Sequence, residues 1–71
     1  MSKWILKNQI KVHRAIKNLT QEELAEKIGV TRKTINTIEN GVFIPSTILA
    51  FRLSRFFGIS VEELFDLVEN D

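Results

Sequence analysis

The 71 residues include no cysteine, which excludes disulfides and thiolate metal sites and leaves packing to hold the fold. Only one histidine, His13, is present, too few for an imidazole cluster. No glycine-rich phosphate loop occurs, and metal ligands at useful spacing are missing, so no cofactor is expected. The longest early apolar run, Trp4-Ile5-Leu6, is far too short for a signal peptide or a membrane span. A cytoplasmic protein without a membrane partner is therefore expected. The carboxylate pairs Glu22-Glu23 and Glu62-Glu63 fall in first helical turns, where they favour the helix dipole and capping rather than catalysis. An enzyme is not expected.

A chain this short buries only about 60% of its unfolded surface, which leaves little room for an enclosed active site beside a core. One domain spanning residues 1–71 is expected. The net charge is +1, but its distribution is uneven. Residues 1–55 hold all ten Lys and Arg against four acids, and residues 56–71 hold five acids and no base. A basic body with an acidic tail suits a molecule that meets phosphate with one side. Two ordinary solvated faces would give the same tally.

What is present is a run of short, well-punctuated helices. The first is expected from about Asn8 to Lys17. Thr20 and Glu23 have the spacing of a capping box, which opens a second helix with Leu24, Ala25 and Ile28 as its apolar stripe. Gly29 closes it. Thr31 caps a third helix, which ends at Asn40-Gly41. Residues 42–45 form a loop, with Ile44 held extended by Pro45. Ser46 caps a fourth helix over about Thr47 to Phe57, with Leu49, Ala50, Leu53, Phe56 and Phe57 inward. Gly58 ends it, and Ser60 with Glu63 forms a second capping box. A fifth helix is expected there, because Val61, Leu64, Phe65 and Val68 lie at i, i+3, i+4 and i+7. No alternating strand pattern of useful length stands out. The expected fold class is all-α, five short helices.

Two short helices joined at a tight turn holding Gly29 have the form of a helix-turn-helix. Ala25 must be small because the next helix crosses close to it, and Gly29 tolerates the positive φ of the turn. In the third helix Ile35 and Ile38 point inward. Lys33, Asn36, Thr37 and Asn40 line the opposite side, with Arg32 at its start. Such a face can donate and accept hydrogen bonds at base edges in a major groove.

The stretch TQEELAEKIGVTRKTINTIENG resembles the core of the Cro/repressor (XRE-like) helix-turn-helix regulators. Gln21, Leu24-Ala25, Gly29-Val30, Thr31, Ile35, Ile38 and Glu39-Asn40-Gly41 carry the resemblance. It continues through Pro45-Ser46 and Phe57 to Phe65, covering about residues 8–66. The resemblance implies a phage-repressor-like DNA-binding domain whose third helix enters the major groove of double-stranded DNA. It implies base contacts by Arg32, Lys33, Asn36 and Thr37, and phosphate contacts by Gln21, Thr31, Thr34 and Asn40. It also implies a structural ion pair between Arg14 and Glu39. Many such regulators dimerise through C-terminal helices, so a homodimer on a near-palindromic operator is expected, with Leu64, Leu67 and Val68 as dimer contacts. Transcriptional repression is the implied activity.

The chain departs from that pattern in three places. His13 stands where an apolar residue is usual and is expected to be packed and hydrogen-bonded near the core. Val12, Ala15 and Ile16 are apolar and, with Trp4 and Ile5, form either a folded-back N-terminal segment or a subunit contact. Residues 42–44 are apolar where relatives carry Lys or Arg, with Phe43 expected to plug the core. The alternative function is a protein-interaction module, antitoxin-like, using the same fold with a protein partner.

Overall fold

In a computed structural model, residues 3–70 are described. A strand β1 (Lys3–Asn8) leads into α1 (Ile10–Ile16), α2 (Gln21–Ile28), α3 (Arg32–Glu39), α4 (Thr47–Phe57) and α5 (Val61–Leu64), and a strand β2 (Phe65–Asn70) closes the order. Asp71, the last acid of the acidic tail, lies outside the described residues.

The cap positions read in the sequence set the helix starts. Thr20 Oγ1 accepts the Glu23 amide at 3.0 Å while Glu23 Oε1 accepts the Thr20 amide at 2.9 Å, and Ser60 and Glu63 repeat the arrangement. Each box satisfies amide groups that a helix start otherwise leaves unpaired. Thr31 and Ser46 cap α3 and α4 by accepting the amides of Thr34 and Leu49. Five helix starts and three glycine-marked ends leave elements too short to be stable alone, so they depend on the shared core.

That core is built from Ile10, Leu24, Ala25, Ile28, Ile35, Ile38, Leu49, Leu53, Phe57, Leu64 and Phe65. Every helix contributes to it. Phe56 and Ala50, expected inward, pack against its edge and are partly buried.

The fold is not purely α, which corrects the sequence expectation. The fifth helix ends after one turn at Leu64, and Phe65 is already extended at φ −121° and ψ 138°. The two chain ends pair as an antiparallel ribbon, with Asn8 opposite Phe65, Leu6 opposite Leu67, Ile5 opposite Val68 and Lys7 opposite Asp66. The first helix is correspondingly shorter than expected, because Asn8 belongs to β1. The physical reason is non-local. Val61, Leu64, Phe65 and Val68 fit an i, i+3, i+4, i+7 stripe, but pairing with β1 gives the backbone after Leu64 ladder partners instead. Gln9 N–H donates to Leu64 O at 2.8 Å and stitches the ribbon's inner end to α5.

Of two packing expectations, the one for Phe43 changes and the packing of His13 near the core is seen. Phe43 does not plug the core, since it is 49% exposed beside an exposed Val42 and Ile44. The ring of His13 is half-buried and packs on Phe57, with centroids 5.6 Å apart. Of the apolar residues on α1, Val12 and Ile16 are exposed, as are Trp4 and Ile5 on β1. The N-terminal segment pairs with β2 rather than folding back over α1.

Candidate nucleic-acid interface

The turn between α2 and α3 fixes the candidate surface. Gly29 sits at φ +85°, and its amide and that of Val30 both donate to Ala25 O. A Cβ on Gly29 would also stand 3.3 Å from Arg52 Nη2. Arg52, from α4, donates that group to Ile28 O and so completes the end of α2. Glycine is favoured here by φ, and an added Cβ would in addition press the end of the Arg52 side chain aside.

Helix α3 buries Ile35 and Ile38 against the core and turns its other side to solvent. Arg32, Lys33, Thr31 and Asn40 are exposed, and Thr34, Asn36, Thr37 and Gln21 are half-buried. All eight lie on α3, its caps or the start of α2, so the structure brings them to one surface.

A chain of polar contacts runs beneath that surface. Arg14 Nε donates to Glu39 Oε2 at 2.9 Å and Arg14 Nη2 donates to Oε1 at 3.2 Å. The Glu39 side chain is only 5% exposed, and this two-pronged pairing neutralises it with fixed geometry. Arg14 Nη1 also donates to Leu19 O at 2.9 Å, tying the α1–α2 turn to the pair. Gln21 Nε2 donates to Glu39 Oε1 at 3.2 Å, and Gln21 Oε1 accepts from Asn36 Nδ2 at 3.3 Å. Asn36 Oδ1 then accepts from Asn40 Nδ2 at 3.3 Å. The carboxylate that would repel a phosphate is thus buried and paired, and amides occupy the outer end of the chain. Asn36 retains one N–H and one lone pair for a base edge.

The threonines are held as firmly. Thr31 and Thr34 hydroxyls share a 3.0 Å bond. Thr37 Oγ1 donates back to Lys33 O and Thr34 O at 3.0 and 3.1 Å. The Thr37 hydroxyl proton is therefore committed to its own helix, which leaves its oxygen an acceptor and not a donor.

Sequence reasoning missed two positioning residues. Asn8 Nδ2 donates to Ile38 O at 2.9 Å, and its Oδ1 accepts the Ile10 amide, so it holds the end of α3 against β1. Arg52 is the other. An Asn just before a helix carries a capping signal, but nothing local says that its amide reaches a carbonyl thirty residues away.

Among the titratable groups, Glu23 and Glu63 lie below the usual carboxylate range. The amide and hydroxyl of Thr20 hold Glu23 there, and those of Ser60 hold Glu63. Both belong to caps and not to the candidate surface. Among the described residues no group of three or more His, Asp or Glu is arranged to hold a metal ion. No described helix is long and apolar enough to cross a membrane.

Comparison with known proteins agrees with this geometry. The helix-turn-helix family model matches residues 10–64. An uncharacterized HTH-type transcriptional regulator of Methanocaldococcus jannaschii is 50% identical over 66 residues, covering 93% of this chain and 98% of its own. Another from Bacillus subtilis is 39% identical over 66 residues, covering 93% of this chain and all of its own. Among solved structures, a Bacteroides fragilis protein described as a candidate DNA-binding protein superposes with a TM-score of 0.76 at 26% identity. That match covers 87% of this chain and all of that one. The SOS-response transcriptional repressor LexA of Eubacterium rectale gives a TM-score of 0.72 at 31% identity, over 78% of this chain and 58% of that one. With the family model spanning most of the sequence and a relative at half identity end to end, the chain belongs to the helix-turn-helix family of DNA-binding transcriptional regulators, a family of regulators and not of enzymes.

Proposed function

We propose that residues 1–71 form one domain that binds double-stranded DNA sequence-specifically, with α3 inserted in the major groove, and represses transcription by occupying its operator. The observation that carries this reading is the braced outer row of α3. Exposed Arg32 and Lys33 and half-buried Asn36 and Thr37 lie on the side of α3 away from the core, on a helix whose inner side, start and end are each fixed by neighbours. A rigid polar row on a helix is what direct readout needs. Arg32 or Lys33 suits guanine O6 and N7, and Asn36 suits adenine. Gln21, Thr31, Thr34 and Asn40 flank the row and suit phosphate oxygens, with the helix starts of α2 and α3 adding their amides. Repression is the sign that occupancy alone delivers, and it requires no surface beyond the one described. The working compartment is the cytoplasm, on the nucleoid when bound.

The molecule acts on this reading as a homodimer, two recognition helices spanning about 34–36 Å of a near-palindromic operator. Of the residues named for subunit contact, Leu67 is exposed and Val68 is half-buried on β2, whereas Leu64 is fully buried in its own core. Trp4 and Ile5 lie on the paired strand and add exposed apolar surface. The same surface favours a second reading, an antitoxin-like module whose ribbon docks a protein partner.

The deciding experiment selects duplexes from a random-sequence pool with the purified protein at physiological salt and sequences those retained. Recovery of a near-palindrome with half-sites about one turn apart is expected. A folded protein that retains no duplex would refute the DNA reading and favour the protein partner.

A further inference from the structure

The loop after α3 is apolar where a phosphate-binding loop would be basic, and the structure shows what those side chains do. The amides of Val42 and Phe43 both donate to Thr37 O, at 2.9 and 3.1 Å. The loop is therefore folded onto the recognition helix and does not swing free of it. Val42 is 78% exposed. With Phe43 and with Lys33, Thr34 and Thr37 of α3, it lines an open hollow of about 310 Å³. Thr37 lines it too, with its hydroxyl proton committed to its own helix.

We propose that this hollow is a subsite for the C5-methyl groups of thymine, making Val42 and Phe43 specificity-determining residues. The inference rests on the major-groove reading above and deepens it. The argument is chemical. Two of the residues lining the hollow, Lys33 and Thr37, belong to the face assigned to the bases, and Thr34 belongs to the flank assigned to phosphate, so a group displayed at the edge of the major groove suits it. The major groove displays one apolar group, the thymine methyl, and it distinguishes T·A from C·G. A phosphate oxygen would be desolvated against Val42 and Phe43. Lys33 and Thr34, which also line the open hollow, keep their polar groups for the neighbouring base edge or phosphate, so the methyl takes the apolar side and leaves those contacts in place. The row Arg32, Lys33 and Asn36 then reads guanine and adenine, and the loop supplies the apolar contact that those side chains lack.

The test uses the duplex recovered by selection, with each thymine of one half-site replaced in turn by deoxyuridine, which removes only the methyl. Affinity is measured for the intact protein and for Val42→Ser, whose exposed position leaves folding intact by circular dichroism. At least one replacement is expected to weaken wild-type binding about fourfold, the effect of uncovering one buried carbon. Val42→Ser is expected to bind the thymine and deoxyuridine duplexes equally. Phe43→Ala serves as the second variant, with the same expectation. Binding that is indifferent to every replacement, or a half-site without thymine, would overturn the subsite while leaving major-groove binding in place. A methyl effect that survives unchanged in both variants would assign the methyl to another part of α3 and overturn it too. Failure to retain any duplex would remove the parent reading and this one with it.

Discussion

At the scale of single residues, the paired and the exposed polar groups of the interface are expected to behave differently. Lys33 is exposed on the outer row of α3, so Lys33→Ala should change which sequences are preferred. Gln21 joins α2 to α3 through Glu39 and Asn36. Gln21→Ala should weaken all sites alike, and parallel selections with the two variants separate these outcomes. If both lost affinity uniformly, the assigned recognition row would be wrong. Arg14 has a different task. Its removal leaves the nearly buried Glu39 carboxylate without its counter-charge, at a cost of about 3 kcal/mol. For a domain of this size that is a Tm fall of roughly 10–20 °C, read by thermal unfolding followed by circular dichroism. Arg14→Lys should recover only part of the loss, since an ammonium cannot match both carboxylate oxygens in plane.

At the scale of elements, the capping boxes tie helix starts to pH. The carboxyls of Glu23 and Glu63 lie below their usual range in the folded chain because cap amides and hydroxyls bond the ionised form. A lowered folded value means stability that is present above the ordinary carboxylate range and is lost as pH falls through the folded value. Tm should therefore drop on acidification below about pH 4.5. The double variant Glu23→Gln, Glu63→Gln should show a shallower drop in the same titration, and an unchanged slope would place the acid sensitivity elsewhere. These boxes were legible because all their parts lie within four residues. So were Gly29 and the inward Ile35 and Ile38, which local spacing determines. The ribbon was not legible. The segment after Leu64 carries a helical stripe in its own letters, and only Trp4-Ile5-Leu6, some sixty residues away in sequence, makes it a strand. For the same reason the sequence indicated the polar side of α3 but not the braces Asn8 and Arg52, whose partners are carbonyls on other elements.

At the scale of the whole molecule, net charge is a poor guide to how strongly salt governs binding. The chain carries only +1 overall, and the residues assigned to phosphate (Gln21, Thr31, Thr34 and Asn40) are all neutral. Neutral donors fix register without displacing counterions, so of the assigned residues only Arg32 and Lys33, charged side chains given to base edges, can add to ion release, and counting each as one neutralised phosphate sets an upper bound. A dimer brings two of each, about four charges. At about 0.9 per neutralised phosphate, log K against log salt should fall with a slope of roughly −3 to −4. That is shallow beside the slope of about −10 seen where many basic side chains meet the backbone. Arg32→Ala should reduce the magnitude by no more than about two for the dimer, the value for one phosphate contact in each half-site. A titration of operator affinity from low to physiological salt measures both numbers. A slope much steeper than −4 would mean that bases outside α3, such as those of β1 or α1, also lie against the DNA backbone. In that case the footprint would extend over the sheet side of the molecule, and the ribbon would be part of the nucleic-acid surface and not a subunit contact.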